Sequence, residues 1–150
     1  MIIRDEFGVP HIQAENETAL FFGQGFAVAQ DRTLQLEMHR RTSLGTMSEI
    51  ALLINANYTE FDKAIRREYY QKNELNSMFD GLDTDVKNSI IAYSDGINRF
   101  LDSVKINPNI YKHYTIAQLE FIGWKIPEWK PEHTVAVVGY FLKKFCSFGG

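Results

Sequence analysis

The side chains best placed to do chemistry crowd the C-terminal segment, where Tyr140, Phe141, Phe145 and Phe148 stand close to Lys143, Lys144 and Cys146. Positions 141 and 145 are i,i+4 neighbours on a helix and form one aromatic face. Two readings stand open for it: core packing, or an apolar ligand wall with a cation beside it. Elsewhere the chemistry is sparse. His11, His39, His113 and His133 lack the spacing of a helical metal pair. Cys146 has no His or Asp partner visible in sequence, and no serine sits in a Gly-x-Ser-x-Gly elbow. No glycine loop is built to cradle phosphate. Gln30-Asp31-Arg32 lies among apolar residues and reads as a buried polar network that fixes the fold. Arg40-Arg41 and Arg66-Arg67 read as a solvated or structural helix face, pairing with Glu37, Asp62 or Glu49.

The elements that must position these groups are mostly helices. Ile2, Ile3, Val9 and Ile12 around the break Asp5-Glu6-Phe7-Gly8 predict a small hairpin, with Pro10 at an edge or strand start. Asn16 is a good N-cap for a long helix that Gly45 ends. Gly23 and Gly25 inside it imply close packing or a kink. Thr46-Met47-Ser48-Glu49 fits a capping box opening a short helix to about Leu53. Ile54–Tyr58 reads as loop. Thr59 is the expected cap of a helix carrying Phe61, Ile65, Tyr69 and Leu75. Asp83 caps another, with Val86, Ile90, Tyr93, Ile97, Phe100 or Leu101, and Val104 at helical spacing, stopped by Asn107-Pro108. Residues 113–130 read as aromatic and irregular. Pro131 opens a last helix reaching about Phe145.

Composition agrees with an ordinary folded domain. The chain has 150 residues, 45% hydrophobic and 23% charged, with 11 Phe, 7 Tyr and 2 Trp. This excludes a disordered or low-complexity chain. A net charge of -3 and a pI of about 5.8 give no basic surface for nucleic acid. No apolar run approaches the ~20 residues of a membrane span, and no signal peptide is visible. An isolated two-stranded ribbon is marginal, so its strands are expected to pair with something else.

Several blocks together resemble the α chain of the penicillin acylase family, nearest its penicillin G acylase branch. They are Ile3 to Ala14, Phe22 to Arg32, Gln35 to Arg41, Gly45 to Glu49, Phe61 to Arg67, Tyr93 to Asn98 and Trp129-Lys130-Pro131. The resemblance runs from residue 2 to about 147. It implies an N-terminal nucleophile hydrolase: a precursor cut into α and β chains that fold into a four-layer αββα body. On this view residues 1–150 are one α+β segment, mostly helical, incomplete without the β chain. The nucleophile would be a serine opening the β chain, with its own α-amine as base and oxyanion donors from the same chain, so no catalytic residue is expected here.

The resemblance further assigns Phe141, Lys144 and Phe145 to the acyl-binding pocket. Phe145 matches the family's Phe, Phe141 replaces a Met, which implies a tighter pocket, and Lys144 replaces an Arg, keeping charge but losing the planar fork. A calcium is implied in the full heterodimer, with no metal bound by this chain alone, because its α-chain carboxylate would lie just past Gly150. Gly150 is either a processing point or a truncation. Export to the periplasm or beyond is implied by resemblance alone. The competing readings are an acyl-homoserine lactone or cephalosporin acylase α chain, and a non-catalytic helical interaction domain.

Overall fold

The computed structural model describes residues 1–51, 57–107 and 126–147, with the side chains of residues 51 and 147 left aside. The described chain is mostly helical. A hairpin of β1 (Ile2–Arg4) and β2 (Pro10–Ile12) precedes α1 (Glu17–Leu44), α2 (Ser48–Ala51), α3 (Thr59–Glu68), α4 (Lys72–Asp80), α5 (Thr84–Ile106) and α6 (Pro131–Ser147). The hairpin is antiparallel, with Ile2 opposite Ile12 and Arg4 opposite Pro10. Its turn is organised by Asp5, whose carboxylate accepts the Phe7 and Val9 amides and pairs with His11 at 3.0 Å. The His11 bond comes first among the contacts that hold the Asp5 carboxyl below its ordinary range.

The centre of the molecule is the crossing of α1 and α5. Gly25 and Gly96 let the two backbones touch. A Cβ on Gly96 would collide with the Phe22 carbonyl and come within 2.8 Å of the Phe26 nitrogen, and one on Gly25 would strike the Tyr93 carbonyl. Close packing, rather than a kink at the glycines, is therefore their role; the break in α1 falls at Arg32 (φ -137°, ψ 25°). Around the crossing, Ala29, Ile97, Phe100, Leu101, Val104 and Trp129 form one buried cluster. Of the expected apolar positions of α5, Tyr93, Ile97, Phe100, Leu101 and Val104 belong to it; Ile90 packs in a second cluster with Leu75, Val135 and Ala136, and Val86 is exposed.

Asn16 caps α1 as expected, accepting the Ala19 amide at 2.9 Å, and Gly45 ends the helix at φ 61°. Three expectations are corrected. The Thr46–Glu49 capping box does not form: Asp62, 1% exposed, instead accepts the Met47 and Ser48 amides at 2.9 and 2.7 Å, plus the Ser48 hydroxyl. A carboxylate from another helix serves that N-terminus better than a local side chain, because it brings a full charge to several unpaired amides at once. Thr59 is the first residue of α3 rather than its cap; Asn57 Oδ1 accepts the Thr59 amide at 3.1 Å. The helix expected to run from Phe61 to Leu75 is two helices, broken at Tyr69 and Tyr70. Glu74 accepts the Gln71 amide at 2.6 Å and starts α4 afresh. The expected helix end at Leu53, the loop from residue 54 to 56 and the aromatic stretch 113–125 lie outside the described residues.

Candidate functional site at the end of α6

α6 is positioned from its first turn. The Asn98 side chain on α5 accepts the Trp129 amide at 2.7 Å and donates to the Trp129 carbonyl at 2.8 Å. The Trp129 indole N–H donates to Thr134 Oγ1 at 3.0 Å, locking the entry into α6. His133 Nδ1 accepts the Lys130 amide at 3.0 Å, which requires that nitrogen to be unprotonated. Burial, with the cations of Arg40, Lys130 and Lys72 adding to it, lowers the His133 pKa to about 4. Farther along, Val135 and Ala136 are buried with Leu75 of α4, against Leu44, Phe79 and Ile90. Tyr140 is the last deeply buried side chain of the helix.

Beyond it the helix turns outward and carries the residues singled out from sequence. Phe141 is half-buried, meeting His39 of α1 edge-on at 5.1 Å and Tyr140 edge-on at 5.5 Å. Phe145 stacks on Phe141 with centroids 6.2 Å apart and is 71% exposed. The Lys144 ammonium lies 5.6 Å from the Tyr140 ring centroid, within cation–π range. The three predicted positions thus come together on the last two turns. They form an apolar shelf with a positive charge at its border, and Phe145 is left exposed among the described residues. Cys146 is exposed on the same end. Phe148 lies outside the described residues.

The other charged motifs fix structure. Arg4 of the hairpin donates to Asp31 at 2.7 and 3.1 Å, to Gln30 at 2.6 Å and to the Gly8 carbonyl at 2.8 Å. Arg4 and Asp31 are each about one-third exposed, so the expected buried network is a partly solvated clasp between hairpin and helix. Arg40 and Arg41 take the structural of the two expected roles: they are buried and pair with Glu37 and Glu49. Glu37, 1% exposed, accepts from Arg40 at 2.5 and 2.7 Å and from Arg41 at 2.8 Å, and Arg41 reaches Glu49 at 2.6 Å. Arg66 and Arg67 donate to the Asp62 and Lys63 carbonyls.

Sequence reasoning missed the Asn98–Trp129 clasp, which spans 31 residues, and the packing of Tyr69 and Tyr70 against α6. Among the described residues, no three His, Cys, Asp or Glu side chains gather as a metal-binding set. No helix among them is long and apolar enough to cross a membrane. An open apolar groove of about 560 Å³ runs between α1, α5 and α6, lined by Phe21, Val86, Tyr93 and Val138 among others, away from the α6 shelf.

The penicillin amidase family model matches residues 1–149. The chain belongs to the penicillin amidase family. It is 34% identical to penicillin G acylase of Escherichia coli over 147 residues, covering 96% of this chain and 16% of that protein. It is 33% identical to the penicillin acylase 2 proenzyme of Pseudomonas sp. strain SE83, covering 90% of this chain and 16% of that one. Acyl-homoserine lactone acylase PvdQ of Pseudomonas fluorescens strain Pf0-1 is 33% identical over 67% of this chain and 13% of its own length. Among solved structures, the thermostable penicillin G acylase from Alcaligenes faecalis superposes with a TM-score of 0.84 at 26% identity, over 98% of this chain and 74% of that one. This penicillin amidase family chain therefore spans a small part of the curated relatives it matches, and most of one solved acylase chain.

Proposed function

We propose that this chain is the α-chain part of an amidohydrolase that cleaves the side-chain amide of an N-acyl substrate of the penicillin G type. The observation that carries the reading is the Phe141–Phe145 shelf, exposed at the end of a firmly anchored helix in a chain of the penicillin amidase family. Two stacked rings suit an aryl or other apolar acyl group, whose burial against them supplies about 25 cal/mol per Å² of apolar surface. Lys144 at the border would face the polar side of the substrate.

The hydrolytic groups come, in this reading, from a β chain of the same precursor. Its N-terminal serine hydroxyl attacks the amide carbonyl, and its own α-amine, which titrates near neutrality, takes the proton. The amine product leaves, and water releases the acyl group from the ester. The two chains together form the four-layer αββα body, and the hairpin joins a sheet of the β chain. Exposed apolar surface supports a partner: Phe7 is 83% exposed and Ile106 79%, and a separate open apolar groove runs between α1, α5 and α6. This chain alone is inactive.

The test is expression of the full-length protein, N-terminal sequencing of its fragments, and release of a chromogenic amine from phenylacetyl and hexanoyl amides. A fragment beginning with Ser, together with amine release, supports the reading. An uncut, folded protein that releases no amine overturns it. A second reading, acyl-homoserine lactone hydrolysis, is favoured by the likeness to the Pseudomonas fluorescens acylase. A preference for long aliphatic over aryl acyl groups would select it.

A further inference from the structure

The turn between α3 and α4 lies against the last turns of α6, and the contacts there are not those of ordinary core packing. The Lys143 ammonium donates to the carbonyl of Glu68, the last residue of α3. That oxygen is one of the acceptors a helix end leaves without an internal partner, and a cation there also meets the negative end of the helix dipole. The same ammonium stands 4.7 Å from the centroid of the Tyr69 ring. The Tyr69 ring lies 5.1 Å from the Tyr140 ring, which in turn touches Phe141. Tyr70 completes the contact: a Cβ on Gly139 would come within 3.2 Å of its ring, so a larger residue there would push the ring away from α6 by a few tenths of an ångström.

These contacts stand where little else holds the helix. Residues 142–146 are exposed, and Phe141 meets His39 of α1 on the neighbouring face. Residues 140, 143 and 144 share one helix face, and 141, 144 and 145 the adjoining one. A grip on the first face therefore fixes the rotation of the second, which carries the shelf.

We propose that Tyr69 and Lys143 are positioning residues that hold the Phe141–Phe145 turn in the orientation that selects the acyl group. The inference rests on the acyl-shelf reading above. Neither residue need touch the substrate. Loosening the grip lets the two rings reorient, which weakens binding of a bulky aryl group more than it slows bond cleavage, so the loss falls on KM before kcat. The Tyr69 ring, rather than its hydroxyl, makes both contacts, so phenylalanine should substitute for it.

The experiment uses the full-length protein with Tyr69→Leu and Lys143→Met, and with Tyr69→Phe and Lys143→Arg as conservative counterparts. Amide hydrogen exchange at residues 141–147 is read together with the ratio of kcat/KM for phenylacetyl and hexanoyl amides. Tyr69→Leu and Lys143→Met should speed that exchange about tenfold, leave α1 and α5 protected, and shift the ratio about fivefold through KM. Tyr69→Phe and Lys143→Arg should restore both readouts. Unchanged exchange at 141–147 overturns the positioning role. Faster exchange with an unchanged ratio overturns its part in selectivity. A protein that hydrolyses neither amide, even before mutation, removes the acylase reading instead, and the exchange result still decides whether the grip holds the turn.

Discussion

The crossing of α1 and α5 and the free end of α6 are built from similar residue types, aromatics beside cations, yet they are opposite in kind. At the crossing everything is answered internally. Backbones touch at Gly25 and Gly96, Phe26 packs edge-on against Phe100 at 5.5 Å, and farther along α1, past its break at Arg32, Arg40 and Arg41 surround a buried Glu37. At the end of α6 residues 142–146 are exposed, and Phe145 is left 71% exposed. A closed region of this sort sets stability. An open one, anchored by Asn98 and Trp129 at its far end, is free to meet something outside the described chain.

The contrast is broken most directly at Glu37. Glu37→Leu removes the carboxylate that the buried Arg40 guanidinium meets and one of the two that Arg41 meets, and should cost about 3–5 kcal/mol, read as a fall in the urea midpoint. A loss below about 1 kcal/mol would mean that water reaches the network and that this end of α1 is not closed. Gly96→Ala should cost about 3 kcal/mol, since backbone rather than a flexible side chain opposes the new methyl group. A wild-type melting temperature in that variant would contradict the close approach.

His133 sharpens the comparison at the root of α6. Its folded-state pKa of about 4 lies below the ordinary 6.5, so between those values the unfolded chain holds a proton that the folded one does not. Stability should therefore fall by about 2 kcal/mol as pH drops from 6.5 toward 4, then level off with respect to this group. His133→Gln should flatten that part of the pH profile; an unchanged slope would show that His133 is solvated. The smallest effect on folding is expected at the open end. Phe145→Ala should alter stability by no more than about 0.5 kcal/mol, by thermal melting. A loss of several kcal/mol would make Phe145 a core residue and remove the contrast.

Much of this architecture was legible in the sequence where the signal is local. Asn16 three residues before the Ala19 amide, Gly45 after Leu44 and Pro131 at the start of α6 each act on backbone close to themselves, so spacing was enough. The failures share a different cause. Asp62 displaces the Thr46–Glu49 box from 14 or 15 residues away. The pairing of Arg40 and Arg41 with Glu37 was visible as i,i+3 and i,i+4 spacing, but their burial comes from tertiary packing. The break at Tyr69 and Tyr70 did leave a local sign, Gln71 followed three residues later by Glu74, hidden under a continuing apolar period. At the candidate site, Phe141, Lys144 and Phe145 were placed by resemblance. Tyr69, Tyr70 and Glu68, about 75 residues away in sequence, enter only through the fold.

The central claim is that the end of α6 walls an acyl pocket, and it is tested most directly by kcat/KM of the full-length protein on a phenylacetyl amide of a chromogenic amine, with and without Phe145→Ala. A fall of about tenfold is expected, carried mainly by KM, equivalent to about 1.4 kcal/mol of lost apolar contact. An active enzyme whose kcat/KM is unchanged by Phe145→Ala would contradict it and place acyl recognition elsewhere.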